Sequence, residues 1–264
     1  MELRNVFAHQ ISIGKNVVIE PTAVIRGLHG NANTIHIGDN TYIGHHVQII
    51  CDNFSVGDYG KIHHHTNIHG YLPCQIGHNL WCGQHVVIDS IGGVTIGDNC
   101  GIGAYSQLWS HIKYGDTLDG CRFNSEKHLQ IGKDVWFVGH CLVSPIVAAD
   151  RSMAMLGSVV TVDMAYNTIY AGVPARPVTD ALGQQFMTVP IDQKMQQMHQ
   201  HLQNSGVNPQ TIRIVESLAD CKANGKTYFA VADRQYIKQN TPEEIAFMRY
   251  LLPEKAKFTP YILP

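Results

Sequence analysis

Ile96-Gly97-Asp98-Asn99-Cys100-Gly101-Ile102-Gly103-Ala104-Tyr105-Ser106-Gln107-Leu108 is the stretch that decides the fold. Its aliphatic residues stand at 96, 102 and 108, six apart, and the first two are each followed by glycine. The same triplet recurs at 37, 43, 49, at 56, 62, 68, at 76, 82, 88 and, past a polar insertion, at 131, 137, 143, with Cys82 as the one sulfur member. From 37 onward, successive triplets begin 19, 20, 20 and 35 residues apart. A period of this kind speaks to architecture before any local propensity does. Six-residue spacing fits neither the period of an amphipathic helix nor the simple alternation of a strand. It fits a triangular coil with three short flat faces, one hexapeptide per face, whose inward residue stacks on its counterpart about 4.8 Å away in the next coil. Two positions before the inward residue the chain places Thr41, Val47, Thr66, Val86, Cys100, Ser106, Val135 or Cys141, small or β-branched side chains suited to a tight corner. The glycine after it relieves backbone crowding at the turn. A longer third connection brings each coil to about 20 residues.

Working outward, residues 1–12 read as a lead-in, and Ile13 to about Ala175 as some seven coils. Two insertions break the rhythm, Gly27–Ile35 and Ile112–Gln130. Val178 to about Gln203 lacks the repeat and, rich in Gln, Met and Leu, predicts a helix. The remainder reads as a small α+β unit with strands at Thr211–Val215, Thr227–Val231 and Gln235–Lys238. A helix is expected to start at Thr241, with Pro242 in its first position and Glu244 closing a capping box. The domain expectation is therefore 1–177 for the coils, with loop 112–130, and 178–264 for the extension.

Composition narrows the function classes. Hydrophobic residues make up 44% of the 264, enough for a sizeable core, whereas charged residues are only 15%. A formal net charge of -2 gives no support to binding of nucleic acid or anionic membranes. Seven cysteines, scattered singly without a CxxC pair, predict neither a disulfide framework nor a zinc ribbon. Residues 1–10 hold no apolar signal region, and no run approaches the roughly 18 apolar residues of a membrane span, so a cytoplasmic protein is expected.

These repeats resemble the hexapeptide-repeat family, and the resemblance implies an all-β solenoid, a left-handed parallel β-helix. From Ile96 to Val178 the likeness sharpens to the sugar and serine acetyltransferase branch. There a coil ends in a histidine, followed by a loop, an "IGxxVWIG" segment, a "GSVVTKD" segment and a closing "GxPAR". The matching segments here are Ser110-His111, Ile131–Val138, Gly157–Asp163 and Gly172–Arg176. The resemblance implies acetyl-CoA as donor, no metal, active sites shared in a homotrimer, and His111 as general base. It also implies Trp136, Gly139, Leu156, Thr161 and Arg176 along the donor. A histidine suits the base because its ordinary titration lies near neutrality. One departure is Val162, where the family usually has lysine. On the acceptor side the family's "NFNxxIxD" corresponds to Cys82–Asp89, so Gln84, His85 and Asp89 are the candidate substrate-binding residues.

Two rival readings share the fold. Gamma-class carbonic anhydrases are hexapeptide β-helices with three zinc-binding histidines, and the sixteen histidines and the stretch around Arg26 resemble them. Their paired histidines, however, correspond here to Gln84 and Asp89, a poor donor pair for zinc. A non-catalytic trimeric module is the other. Stacking at the observed register further predicts one column of His46, His65, His85, Tyr105 and His140, and a second of His45, His64 and Gln84.

Overall fold

A computed structural model of the chain describes residues 5–252 and 254–262. The repeat region is the expected left-handed parallel β-helix, and its inward rows follow the hexapeptide period. On the first face Ile13, Ile37, Val56, Ile76, Ile96, Ile131 and Ala148 lie in register. The second face stacks Ile19, Ile43, Ile62, Cys82, Ile102, Phe137, Ala154 and Tyr170. The third stacks Ile25, Ile49, Ile68, Ile88, Leu108, Val143 and Val160. Apart from Ile13 and Ile19, which are half-buried, all of these are buried, so the core is three columns running the length of the rod. Burying each aliphatic side chain favours folding by roughly 1.5–3 kcal/mol. The strands are short, and the backbone bonds run between coils instead of within them, as in Gly103 N to Phe137 O at 2.7 Å.

The three corners differ. Between the first and second faces a left-handed residue recurs: Asn16, Asn40, Tyr59, Asn79, Asn99, Asp134, Arg151 and Asn167 all have φ between 52° and 64°. Asparagine tolerates this region better than most L-residues because its short amide bonds locally. Here the amides also link coils, as Asn79 Nδ2 donates to Asn99 Oδ1 at 2.8 Å. Beside them Asp39, Asp58 and Asp98 each accept a backbone N–H from the preceding coil at 2.6–2.9 Å. His78 takes the aspartate's place through Nδ1, 2.9 Å from Asp58 N, which leaves its proton on Nε2.

At the corner between the second and third faces the left-handed residues are His46, His65, His85, Tyr105 and His140. The expected column forms, with ring centroids 4.8, 4.9, 4.9 and 5.0 Å apart and interplanar angles of 14°, 8°, 7° and 18°. No comparable left-handed position recurs at the third corner, which is where chain length varies.

Several sequence expectations need correction. The lead-in is itself a strand, Val6–Ile13, paired with both Val24–Arg26 and Ala32–Ile37; residues 1–4 lie outside those described. The Gly27–Ile35 insertion is a short turn closed by a Gly27–Gly30 bridge, and its second half rejoins the first face as strand Ala32–Ile37. Loop 112–130 is a two-stranded antiparallel ribbon, His111–Lys113 against Asn124–Glu126. The single helix from Val178 is two, Thr179–Leu182 and Ile191–Asn204, because Gly183 ends the first and Pro190 precedes the second.

The chain divides into two compact units, one ending at Phe186 and one from Met187 onward. The second unit is a four-stranded sheet, Ile212–Val215, Thr227–Ala230, Gln235–Ile237 and Thr259–Tyr261, with helices Ile191–Asn204 and Pro242–Leu251. The fourth strand went unread in the sequence because Thr-Pro-Tyr is short and holds a proline. Thr241 Oγ1 caps the helix by accepting Glu244 N at 3.2 Å, but Glu244 does not close the box on residue 241. Its buried carboxylate accepts instead from Thr227 Oγ1 at 2.9 Å, Gln239 N at 2.6 Å and Asn240 N at 3.2 Å, holding strand to helix. Burial pushes its pKa up, and the two backbone donors and the Thr227 hydroxyl oppose that rise.

Two outcomes follow from the corners. Asn99→Ala should cost about 1–2 kcal/mol in denaturant titration, whereas Asn99→Gly should cost less, since glycine takes the left-handed geometry freely. Desolvation within the stack, then the charges of His46, His85 and His64, hold the His65 imidazole below its ordinary 6.5. The folded state therefore prefers neutral His65. Its contribution is fully present above 6.5 and is lost as pH falls through the lowered value. Melting temperature should drop on acidification, and less steeply in His65→Asn than in the parent.

Candidate functional site

The third corner carries the densest polar construction on the rod. Leu108 closes its coil in the core, the next residue Trp109 turns outward, and the chain leaves the rod at Ser110-His111. One coil earlier Ile88 is the inward partner of Leu108, so Asp89 stands beside the departure point. Asp89 is 4% exposed, a setting in which a carboxylate must be paired. Its Oδ1 receives three groups: Ser110 N at 3.1 Å, Ser110 Oγ at 2.7 Å and His111 Nδ1 at 2.8 Å. Ser110 Oγ in turn accepts Gly92 N at 2.8 Å, and Ser110 O accepts Lys127 N at 3.0 Å from the returning arm of the ribbon. A side chain at Gly92 would collide with the carbonyls of Ser110 and Lys127, so the backbone there must be bare.

The consequence is an oriented imidazole. With Nδ1 against a buried carboxylate, the proton on that nitrogen is fixed and Nε2 carries the lone pair. The His111 side chain is 19% exposed, and among the described residues nothing hydrogen-bonds Nε2. The Trp109 ring stands 6.0 Å from the His111 ring at 61°, with Nε1 donating to Gln107 Oε1 at 3.3 Å. The ribbon above is exposed, tied across by Lys113–Glu126 at 3.0 Å, with Tyr114, Leu118 and Phe123 fully or largely in solvent.

The other sequence candidates do not all meet here. Thr161 follows the inward Val160 on the third face, so it shares the His111 corner two coils further on, exposed. Gly139 and Leu156 sit at the opposite end of that face and touch each other: a Cβ on Gly139 would lie 3.3 Å from Leu156 Cδ1. Trp136 is on the second face, 43% exposed as its parity demands, its ring lying over Gly101, where a Cβ would stand 2.9 Å from the indole Cδ1. Arg176 is on that face too, in strand Ala175–Pro177, antiparallel to Ile169–Gly172. Val162, where the family usually has lysine, is 46% exposed.

Gln84 and His85 are separated from Asp89. They occupy the corner with Gly139, four residues along the strand from Asp89, on the order of 13 Å away, and His85 is engaged in the ring column. The candidate trio therefore splits, and Asp89 joins His111 instead of the groove expected for it. Its signal lay in the register: Asp89 is one step past an inward residue, and His111 is one coil and two residues later. Ser110, Gly92 and Trp109 went unread for the same reason, since they matter only once two coils are laid side by side. Cys82, at the head of the same stretch, is a core residue whose thiol burial pushes up to about 12, out of reach of nucleophilic chemistry near neutrality. Among the described residues no three His, Cys, Asp or Glu side chains converge as a metal site, and Gln84 and Asp89 lie at different corners. No helix among those residues is long and apolar enough to cross a membrane.

No family model matches the chain. Over 118 residues it is 33% identical to the galactoside O-acetyltransferase of Escherichia coli K12, covering 38% of this chain and 55% of that protein. The chain spans about half the length of the curated relative it matches. Among solved structures, the polySia-specific acetyltransferase NeuO is similar at a TM-score of 0.47 and 19% identity, covering 75% of this chain and 95% of that one. AntD, an N-acyltransferase from Bacillus cereus in complex with dTDP and 3-hydroxybutyryl-CoA, gives a TM-score of 0.43 at 19% identity, covering 63% and 81%. The chain folds as a parallel β-helix of six-residue repeats and is similar over part of its length to a galactoside O-acetyltransferase.

Proposed function

We propose that the chain is a CoA-dependent acyltransferase that moves an acetyl group from acetyl-CoA to a hydroxyl, or an amine, of a sugar or sugar derivative. The observation that carries the reading is the His111–Asp89 pair at 2.8 Å with Nε2 turned outward, in a chain 33% identical over 118 residues to a galactoside O-acetyltransferase. His111 Nε2 takes the acceptor proton as the acceptor oxygen attacks the thioester carbonyl. The imidazolium that forms is stabilised by the Asp89 carboxylate. The C–S bond then breaks, and the proton passes from His111 to the departing sulfur. No acyl-enzyme is needed, and the buried core thiols offer no alternative nucleophile.

The spread of the donor residues over two faces of the rod supports a site shared by two rods. His111 and Thr161 occupy one corner of the third face, and Gly139 and Leu156 the other, with Trp136 and Arg176 on the face beyond. A neighbouring copy that brings its Gly139–Leu156 corner against this His111 corner would complete the site, and three such contacts close a trimer. The Arg176 guanidinium suits the phosphates of CoA.

Release of CoA from acetyl-CoA, in the presence of methyl β-galactopyranoside and a panel of other sugars, tests the reading. His111→Ala should lower kcat by about 10²–10⁴ with the fold retained. Asp89→Ala should cut activity too, and should also cost about 1–3 kcal/mol of stability because Ser110 loses its buried acceptor. Undiminished turnover in His111→Ala would sink the assignment. For the shared site, a mixture of His111→Ala and Leu156→Arg subunits, unfolded and refolded together, should recover part of the activity that each lacks alone. A monomer in sedimentation with full activity would refute it.

A further inference from the structure

The inference deepens the proposed reaction and rests on that reading. We propose that Trp109 is the platform on which the acceptor lies, and that the acceptor it selects is a pyranose ring.

Trp109 follows Leu108, the inward residue that completes its coil, so the rod's core closes without it. Its backbone N–H donates to Val143 O at 2.9 Å whatever the side chain. The indole is thus not needed to hold the coils together, yet it is fixed. Nε1 donates along the same face to Gln107 Oε1 at 3.3 Å, and the ring stands 6.0 Å from His111 at 61°. With its one polar atom satisfied by a neighbour, the half-exposed ring presents carbon.

Geometry then limits what can react. The hydroxyl must sit about 3 Å from His111 Nε2, so the body of the acceptor has to lie over the surface next to that ring. Asp89 offers it little, because its carboxylate is buried and committed to Ser110 and His111. The surface on offer is the Trp109 indole, with Gln107 beside it. His69, half-buried and paired in register with Asp89, lies one coil further up the same column. An electron-rich aromatic face bordered by the Gln107 amide and the His111 imidazole suits a ring with C–H bonds on its flat side and hydroxyls around its edge, which describes a pyranose. An acyclic acceptor such as serine has no face of that size.

Three tryptophans, 81, 109 and 136, make the test direct. Protein labelled with 5-fluorotryptophan gives three fluorine resonances, assigned by Trp→Phe variants, and is titrated with methyl β-galactopyranoside, methyl α-glucopyranoside or serine, with CoA present. The Trp109 resonance should move saturably with a pyranoside and stay still with serine. In kinetics, Trp109→Ala should raise the KM for the pyranoside about tenfold, the scale of one lost aromatic contact, and leave that for acetyl-CoA unchanged. Trp109→Phe should restore most of the loss. An unmoved Trp109 resonance at saturating concentrations of both pyranosides overturns the platform even if the alanine variant does not fold. So does a rise confined to the KM for acetyl-CoA. Acetylation of serine that depends on His111, with pyranosides inert, would refute the platform and leave the acyltransferase standing. Absence of acceptor-dependent CoA release in the parent protein would remove the acyltransferase reading, while the resonance still reports whether Trp109 meets a sugar.

Discussion

The structure depends on one constraint: every inward side chain must land on its counterpart one coil away. A triangular coil meets it only when each face advances the chain by six residues and the corners repeat their geometry. Two of the corners therefore have almost no freedom. Both are held at left-handed φ and carry small buried residues such as Thr41 and Val47, one tied between coils by amide and carboxylate bonds and the other by stacked rings. The third corner absorbs the differences in coil length. Chemistry that needs an irregular, accessible backbone has one natural place on such a rod, and His111 is found there.

That division explains how much of the molecule could be read from its sequence. The inward columns were legible because Ile37, Ile43 and Ile49 recur with a fixed period, and the stacked ring column followed from the same arithmetic. His111 was legible as the residue at which the period breaks. What stayed hidden depended on contacts between coils. Asp89 reads from its own strand as a substrate-binding candidate and becomes the partner of His111 only when the next coil lies beside it. Gln84 and His85 are near Asp89 in sequence, yet the strand between them carries them to another corner. In the second unit, Glu244 carries a helix-start signal, but its carboxylate answers to Thr227 and the turn before the helix.

Four of the sixteen histidines answer to backbone geometry. His46, His65, His85 and His140 fill positions where φ is positive and ring stacks on ring. Histidine is among the few residues with a side chain that occur there more often than average. A planar ring adds face-to-face packing at the coil spacing, which the asparagines of the neighbouring corner replace with amide bonds. The two corners solve one backbone problem by different side-chain chemistry.

The bonds at the root of the ribbon separate two kinds of change. Ser110 is fastened to Asp89, Gly92 and Lys127, so both ends of residues 111–127 are anchored to the rod while the span between them stands clear of it. Substitutions and length changes in that span can accumulate without displacing the imidazole below. A lineage of such proteins could exchange one ribbon for another as a tool changes its bit, and keep the handle.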